Sequence, residues 1–176
     1  VLGPDGRMWF ADASNDAIGR VSPEGSIELF EDPGITSPRS PVVGADGNIW
    51  FVNSDGTSIG RMTAAGDFLG DVAGGLDSVW QLAAGPDENI WFTTRNDDIG
   101  RINPAGVVTT FSDPRIDGSW AITAGPDGAM WFTVEGTRPA VGRVVALSVP
   151  FSDVGIDHTF VVPIDWTASE GISTGY

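Results

Sequence analysis

An eight-residue phrase written four times constrains this chain more than anything else in it. "GPDGRMWF" at Gly3–Phe10 returns as "GADGNIWF" at Gly44–Phe51, "GPDENIWF" at Gly85–Phe92 and "GPDGAMWF" at Gly125–Phe132. Its Trp falls at positions 9, 50, 91 and 131. A second marker follows each Trp: "IGR" at Ile18–Arg20, Ile59–Arg61 and Ile99–Arg101, then "VGR" at Val141–Arg143. A period near 40 residues with two fixed stations means stacked copies of one supersecondary unit.

Each period reads as four short β segments. A small apolar strand, as at Val42–Val43, Leu82–Ala84 or Ile122–Ala124, leads into a Gly-Pro-Asp-Gly type of turn. Gly and Asp tolerate the positive φ angles and supply the local hydrogen bonds of such a hairpin. The Trp-Phe strand follows, then a polar turn such as Asn96–Asp98, the strand ending in "IGRI", and a last strand such as Val107–Phe111. Helical repeats fit badly, because Pro or Gly interrupts every stretch long enough for a helix. Four antiparallel strands per period predict an all-β fold, a β-propeller of four-stranded blades. Adjacent strand residues point to opposite faces, so Trp and Phe side by side require both faces of the blade to be covered. Each ring can bury ~150–250 Å², worth roughly 4–6 kcal/mol as an upper bound.

Composition narrows the partners. The formal charge is −15, from 24 acids against nine basic residues, every one of them Arg. Such a surface repels a phosphate backbone, so no nucleic-acid partner is expected. No apolar run approaches the ~20 residues of a membrane span. Cysteine is absent, which removes disulfides and thiolate chemistry.

At "GPDGxxWFT…IGRI" the chain resembles the streptogramin lyase (virginiamycin B lyase) family of β-propellers, over about Val1–Val144. The resemblance implies a seven-bladed propeller, of which the four repeats form the C-terminal arc. In many propellers the outermost strand of the last blade comes from the N-terminal end of the chain, and the fourth repeat here shows no clear outermost strand of its own. Enzymes of that family open a cyclic depsipeptide by elimination at an ester C–O bond, assisted by Mg²⁺, with two His and a Glu near the central opening. The places where the family carries one such His, five residues before the turn Gly, hold Arg39, Trp80 and Trp120 here. The acidic neighbour two residues before the last of them falls on Gly118, and the family's "WFTE" acid falls on Asp12, Asn53, Thr94 and Val134. The single His, His158, lies outside the repeats. An elimination needs a base that titrates near neutrality, usually His. No catalytic residue, metal ligand or cofactor is therefore expected within the repeats; Mg²⁺ enters only if the lyase chemistry is kept.

A ligand site on a propeller is sought among residues that do not recur. Trp80, Trp120 and Arg39 are the candidates for ligand binding, at the mouth of the central opening by family analogy. Against that role, Trp80 shares strand parity with Leu82 and Trp120 with Ile122, which would turn both rings into the core; packing and ligand platform both stay open. The recurring Arg20, Arg61, Arg101 and Arg143 read as structural cations rather than an anion-binding ring. The recurring Asp5, Asp46, Asp87 and Asp127 read as turn residues rather than Ca²⁺ ligands.

From Pro150 the text changes. Phe151, Asp153, Val154, Ile164, Trp166, Gly171, Ile172, Gly175 and Tyr176 resemble the first half of an S-layer homology module, which implies a partly helical segment and attachment to cell-wall polymer. Pro163 falls inside the expected helix, where proline breaks it. The expected division is residues 1–148 for the propeller repeats and 149–176 for the module. Two functions follow as expectations. The first is a secreted, envelope-attached binding module that takes a glycan, peptide or protein ligand at the propeller's central face. The second is a streptogramin B lyase.

Overall fold

The structure is a computed structural model that describes residues 1–137 and 139–145 and the backbone of Ile164–Ala168. The first sheet holds β1 (Met8–Asp12), β2 (Ala17–Val21) and β3 (Ile27–Glu31). The second holds β4 (Arg39–Val43), β5 (Ile49–Asn53), β6 (Ser58–Met62) and β7 (Phe68–Gly74). The third holds β8 (Val79–Ala84), β9 (Ile90–Thr94), β10 (Asp98–Ile102) and β11 (Val108–Ser112). The fourth holds β12 (Ser119–Ala124), β13 (Ala129–Val134), β14 (Ala140–Val145) and β15 (Ile164–Ala168). All neighbours are antiparallel and follow one another in chain order, so each sheet is a meander. The only helical element among the described residues is a 3-10 turn at Ser54–Gly56. This is the all-β, bladed architecture that the repeat predicts.

The sheets stack through their aromatic stations, and the direction of the stacking is the same at every interface. Trp9 of the first sheet packs into a core with Phe51 of the second; Trp50 with Phe92 of the third; Trp91 with Phe132 of the fourth. Trp therefore faces the following blade and Phe the preceding one. In the two middle blades both rings are covered: Trp50, Phe51, Trp91 and Phe92 are each at most 1% exposed. Phe10 and Trp131, on the outward faces of the first and fourth sheets, are half-buried. The Gly of "IGR" recurs for a steric reason. A Cβ on Gly60, Gly100 or Gly142 would collide with the ring of Phe51, Phe92 or Phe132 lying across it.

Two findings depart from the sequence reading. The outermost strand of the fourth blade comes from the C-terminal side: β15 pairs with β14 in the register Val144↔Ile164 to Ala140↔Ala168. It lies within the segment expected to be partly helical. "IDWTA" alternates apolar and polar residues and follows Pro163, which is acceptable at the start of an edge strand and unfavourable in a helix. The remaining tail residues, among them His158 and most of the S-layer-like motif, lie outside the described residues. The second departure concerns the inner strands β4, β8 and β12, which adjoin one another. Each breaks register with its partner, between Arg39 and Val42, Val79 and Leu82, and Ser119 and Ile122.

Candidate functional site

The bulges decide which way the candidate residues face. A β-bulge inserts one extra residue and shifts the alternation of side chains beyond it. Val79 and Leu82, three apart, are both buried, and so are Ser119 and Ile122. The parity that would have sent Trp80 and Trp120 inward is broken between those pairs. Trp80 is half-buried, and Trp120 is 40% exposed. A left-handed residue stands two positions before each candidate: Ser37 (φ 43°) before Arg39, Ser78 (φ 52°) before Trp80 and Gly118 (φ 73°) before Trp120. At Gly118, where the resemblance would place an acid, the backbone takes the conformation that glycine adopts without steric cost.

Hydroxyl side chains occupy the main-chain groups that the bulges release from the ladder. Ser40 Oγ accepts from the Leu82 N–H at 2.9 Å, and Thr93 Oγ1 donates to the Trp120 carbonyl at 2.8 Å. The Ala121 N–H donates to Thr133 Oγ1 at 3.1 Å, and Ser119 Oγ to the Thr94 carbonyl at 2.7 Å. The bonds of Ser40, Thr93 and Ser119 tie neighbouring blades together, that of Thr133 stays within the fourth blade, and all four fix the backbone beside the candidate Trp.

Trp80 and Trp120 meet with ring centroids 4.4 Å apart and planes tilted by 41°. Two guanidiniums lie against the same indole. That of Arg39 is 5.6 Å from the Trp80 centroid and that of Arg95 only 4.2 Å. Arg39 is held by the Val79 carbonyl at 2.9 Å, and Asp55 stands 3.9 Å from it. Arg95 is anchored through its own N–H to the Ser78 carbonyl at 3.0 Å. Arg39, Asp55, Ser78, Trp80 and Arg95 line an open cavity of about 320 Å³. Burial pushes the Arg39 guanidinium below its usual pKa; Asp55 opposes this and Arg95 adds to it. The three candidates thus stand together at the end of the arc where the inner strands begin. Arg95 joins them from the β9–β10 turn, and Asp55 from the β5–β6 turn. Sequence reasoning passed over Arg95, although a signal existed: four residues after the repeating Trp the chain writes Ala13, Ser54, Arg95 and Glu135, so this Arg does not recur.

The opposite end carries the recurring residues. In every blade the Trp Nε1–H donates to the turn Asp: Trp9 to Asp5 at 3.0 Å, Trp50 to Asp46 at 3.0 Å, Trp91 to Asp87 at 2.9 Å and Trp131 to Asp127 at 3.1 Å. The second oxygen of each Asp takes the recurring Arg, at 3.1 Å for Arg20, 3.3 Å for Arg61, 3.4 Å for Arg101 and 2.7 Å for Arg143. Each of those guanidiniums lies 5.2–5.9 Å from the centroid of its own blade's Trp. Arg20 also donates to the Ala64 carbonyl of the next blade at 2.7 Å, and Arg61 to the Pro104 carbonyl at 3.4 Å. The repeated phrase therefore builds a clasp that closes each hairpin and, in the first two blades, hooks it to its neighbour.

The positions that resemble the "WFTE" acid are structural. Asn53 is buried, accepts from the Thr36 N–H at 2.8 Å and donates to the Gly34 carbonyl at 2.8 Å. Val134 is buried in the fourth blade's core, and Thr94 Oγ1 donates to the Asp98 carbonyl at 3.3 Å. Among the described residues no three His, Cys, Asp or Glu converge as a metal site. The cavity supplies a single carboxylate, Asp55, beside two guanidiniums that repel a divalent cation, so the residues at this end do not fit Mg²⁺, which takes several oxygen ligands.

Comparison with known proteins agrees with this picture. A model of the virginiamycin B lyase family matches residues 1–149. The chain superposes on virginiamycin B lyase from Staphylococcus aureus with a TM-score of 0.77 at 28% identity, covering 98% of this chain and 55% of that one. A catalytically inactive variant of the same enzyme with quinupristin gives 0.78 at 27% identity, covering 97% of this chain and 55% of that one. A streptogramin B lyase structure gives 0.73 at 26% identity, covering 98% and 54%. The chain thus spans about half the length of these solved relatives. No curated protein sequence matches it.

Proposed function

Because the chain belongs to the virginiamycin B lyase family, whose model matches residues 1–149, we propose that it uses the family's propeller as a binding module and takes its ligand at the inner-strand end. A fold does not carry an activity with it; the site does. The observation that carries the proposal is the contact of half-buried Trp80 with exposed Trp120 and with Arg39, on the three positions where the family resemblance calls for His, joined by Arg95 from a turn. Indoles and guanidiniums hold flat or charged ligands by stacking and hydrogen bonding, and neither titrates near neutral pH to move a proton. The ligand classes are a glycan, a peptide or a protein segment. An extracellular or cell-surface location, with attachment to cell-wall polymer, is part of the same proposal. It is supported by the S-layer-like residues from Phe151 to Tyr176, although β15 takes two of them, Ile164 and Trp166, into the fourth sheet.

The test is a glycan-array and cell-wall pull-down with the wild type and with a Trp80→Ala/Trp120→Ala double variant. Binding that disappears in the double variant supports the proposal. Equal retention by the two proteins, or none by either, removes it.

The second reading is a streptogramin B lyase, favoured by the 26–28% identity to such enzymes. Incubating the protein with a streptogramin B substrate and Mg²⁺, then recording mass spectra, separates the two. Elimination opens the ring without change of mass, so the product is identified by its altered retention and fragmentation. An intact cyclic fragment pattern excludes the lyase.

A further inference from the structure

In a chain with 24 acids and nine arginines, a cation without a carboxylate is the exception. Arg7, Arg20, Arg61, Arg101, Arg115 and Arg143 each have a carboxylate oxygen within 3.4 Å. Arg39 has only Asp55 at 3.9 Å, and that side chain is 80% exposed. Arg95 is the one arginine among the described residues with no carboxylate partner. It stands in the same cavity as Arg39, against the same indole. The nearby Asp77 does not fill the gap, because it accepts from Asn96 Nδ2 and from Ser78 Oγ.

Two guanidiniums beside one ring repel each other, and an anion between them turns that repulsion into attraction. Guanidinium presents its N–H groups as a planar fork, which matches the two oxygens of a carboxylate. The cavity, about 320 Å³, has the size of a small-ligand site and is lined by Trp80, whose ring meets the 40%-exposed ring of Trp120 at 4.4 Å. We infer that this cavity takes a carboxylate borne on a six-membered ring with an apolar face, with Arg39 and Arg95 sharing the charge and Trp120 covering the ring. The inference rests on reading the inner-strand end as a binding face, and adds the chemistry of what binds there. The ring is aryl or pyranosyl; both present an apolar face to indole and an acid to the arginines.

The experiment is isothermal titration of the whole chain with two acids, benzoate and glucuronate, and their neutral twins, benzamide and glucose. One acid is expected to bind at least about tenfold more tightly than its twin, and which one does so identifies the ring. Arg95→Gln and, separately, Arg39→Gln are expected to remove that preference without changing affinity for the twin, with melting temperatures unchanged. Trp120→Ala is expected to weaken acid and twin together. If a twin binds as well as its acid and Trp120→Ala weakens both, the anion inference is overturned while the binding-face reading stands. If the Gln variants keep the preference, or none of the four probes binds, the inference is overturned as well.

Discussion

The two ends of these blades use the same residue types for opposite ends. At the hairpin end, Trp, Arg and an acid recur in every blade, and all three satisfy one another: indole to carboxylate, carboxylate to guanidinium, guanidinium to ring. At the inner-strand end, Trp and Arg meet with one acid only, Asp55, which stands 3.9 Å from Arg39 and is 80% exposed. The first arrangement is closed and belongs to the architecture. The second is open, occurs once, and has hydrogen-bonding capacity to spare. In a repeat protein, what distinguishes a structural cation from a binding one is whether its partner came with the repeat.

This contrast can be broken by mutation. Trp50→Ala, which empties the core between the second and third blades, is expected to cost about 3–5 kcal/mol in a denaturant titration. A melt indistinguishable from wild type would mean that the aromatic stations do not hold the blades together. Asp46→Ala is expected to cost about 1–3 kcal/mol, because the buried Trp50 indole loses its acceptor and Arg61 its counter-ion. A loss well below that would show the clasp to be ornamental.

Acid should act on the hairpin end first. Hydrogen bonds from Arg143 and Trp131 bring Asp127 down from 3.8 to about 2. For Asp46, burial pushes upward, but hydrogen bonds from Asn48 and Trp50 outweigh it and the carboxyl lies below its ordinary value. Depressed carboxyls stabilise the fold when ionised, so this contribution is complete above about pH 4 and drains away as pH falls towards 2. Melting temperatures recorded from pH 5 to pH 2 should decline over that interval, and Asp127→Asn should flatten the decline. The smallest expected effect lies at the other end. Arg95→Gln should leave stability within about 0.5 kcal/mol, and Trp120→Ala within about 1 kcal/mol, by the same denaturant titration. Losses as large as that of Trp50→Ala would make these residues part of the core and erase the distinction between the ends.

The periodic part of the molecule was legible because spacing alone carries it. The Trp-Phe stations and "IGR" place the strands, and the need to cover two adjacent rings implies stacked sheets. Arg39, Trp80 and Trp120 were singled out by the family resemblance together with the converse rule, as positions that break the repeat; the structure puts their side chains in contact around Trp80. Their facing was not legible: parity counts assume an unbroken strand, and a bulge between Val79 and Leu82 leaves no mark in the composition. Arg95 was missed because it sits in a turn, where one polar residue looks like another until the fold places it on Trp80. The strand Ile164–Ala168 was missed, although "IDWTA" alternates, because the S-layer resemblance implied a partly helical segment there and the partner β14 ends as far back as Val145.

The consistent aiming of Trp towards the following blade and Phe towards the preceding one gives the stack a polarity. One outward flank carries Phe10, the other Trp131, and they are not interchangeable. Any sheet added to either flank, whichever chain it belongs to, must arrive in the matching orientation, head to tail. Growth by this contact can curve round into a ring, but two like flanks placed face to face would leave the tryptophan of neither with the partner its geometry is cut for.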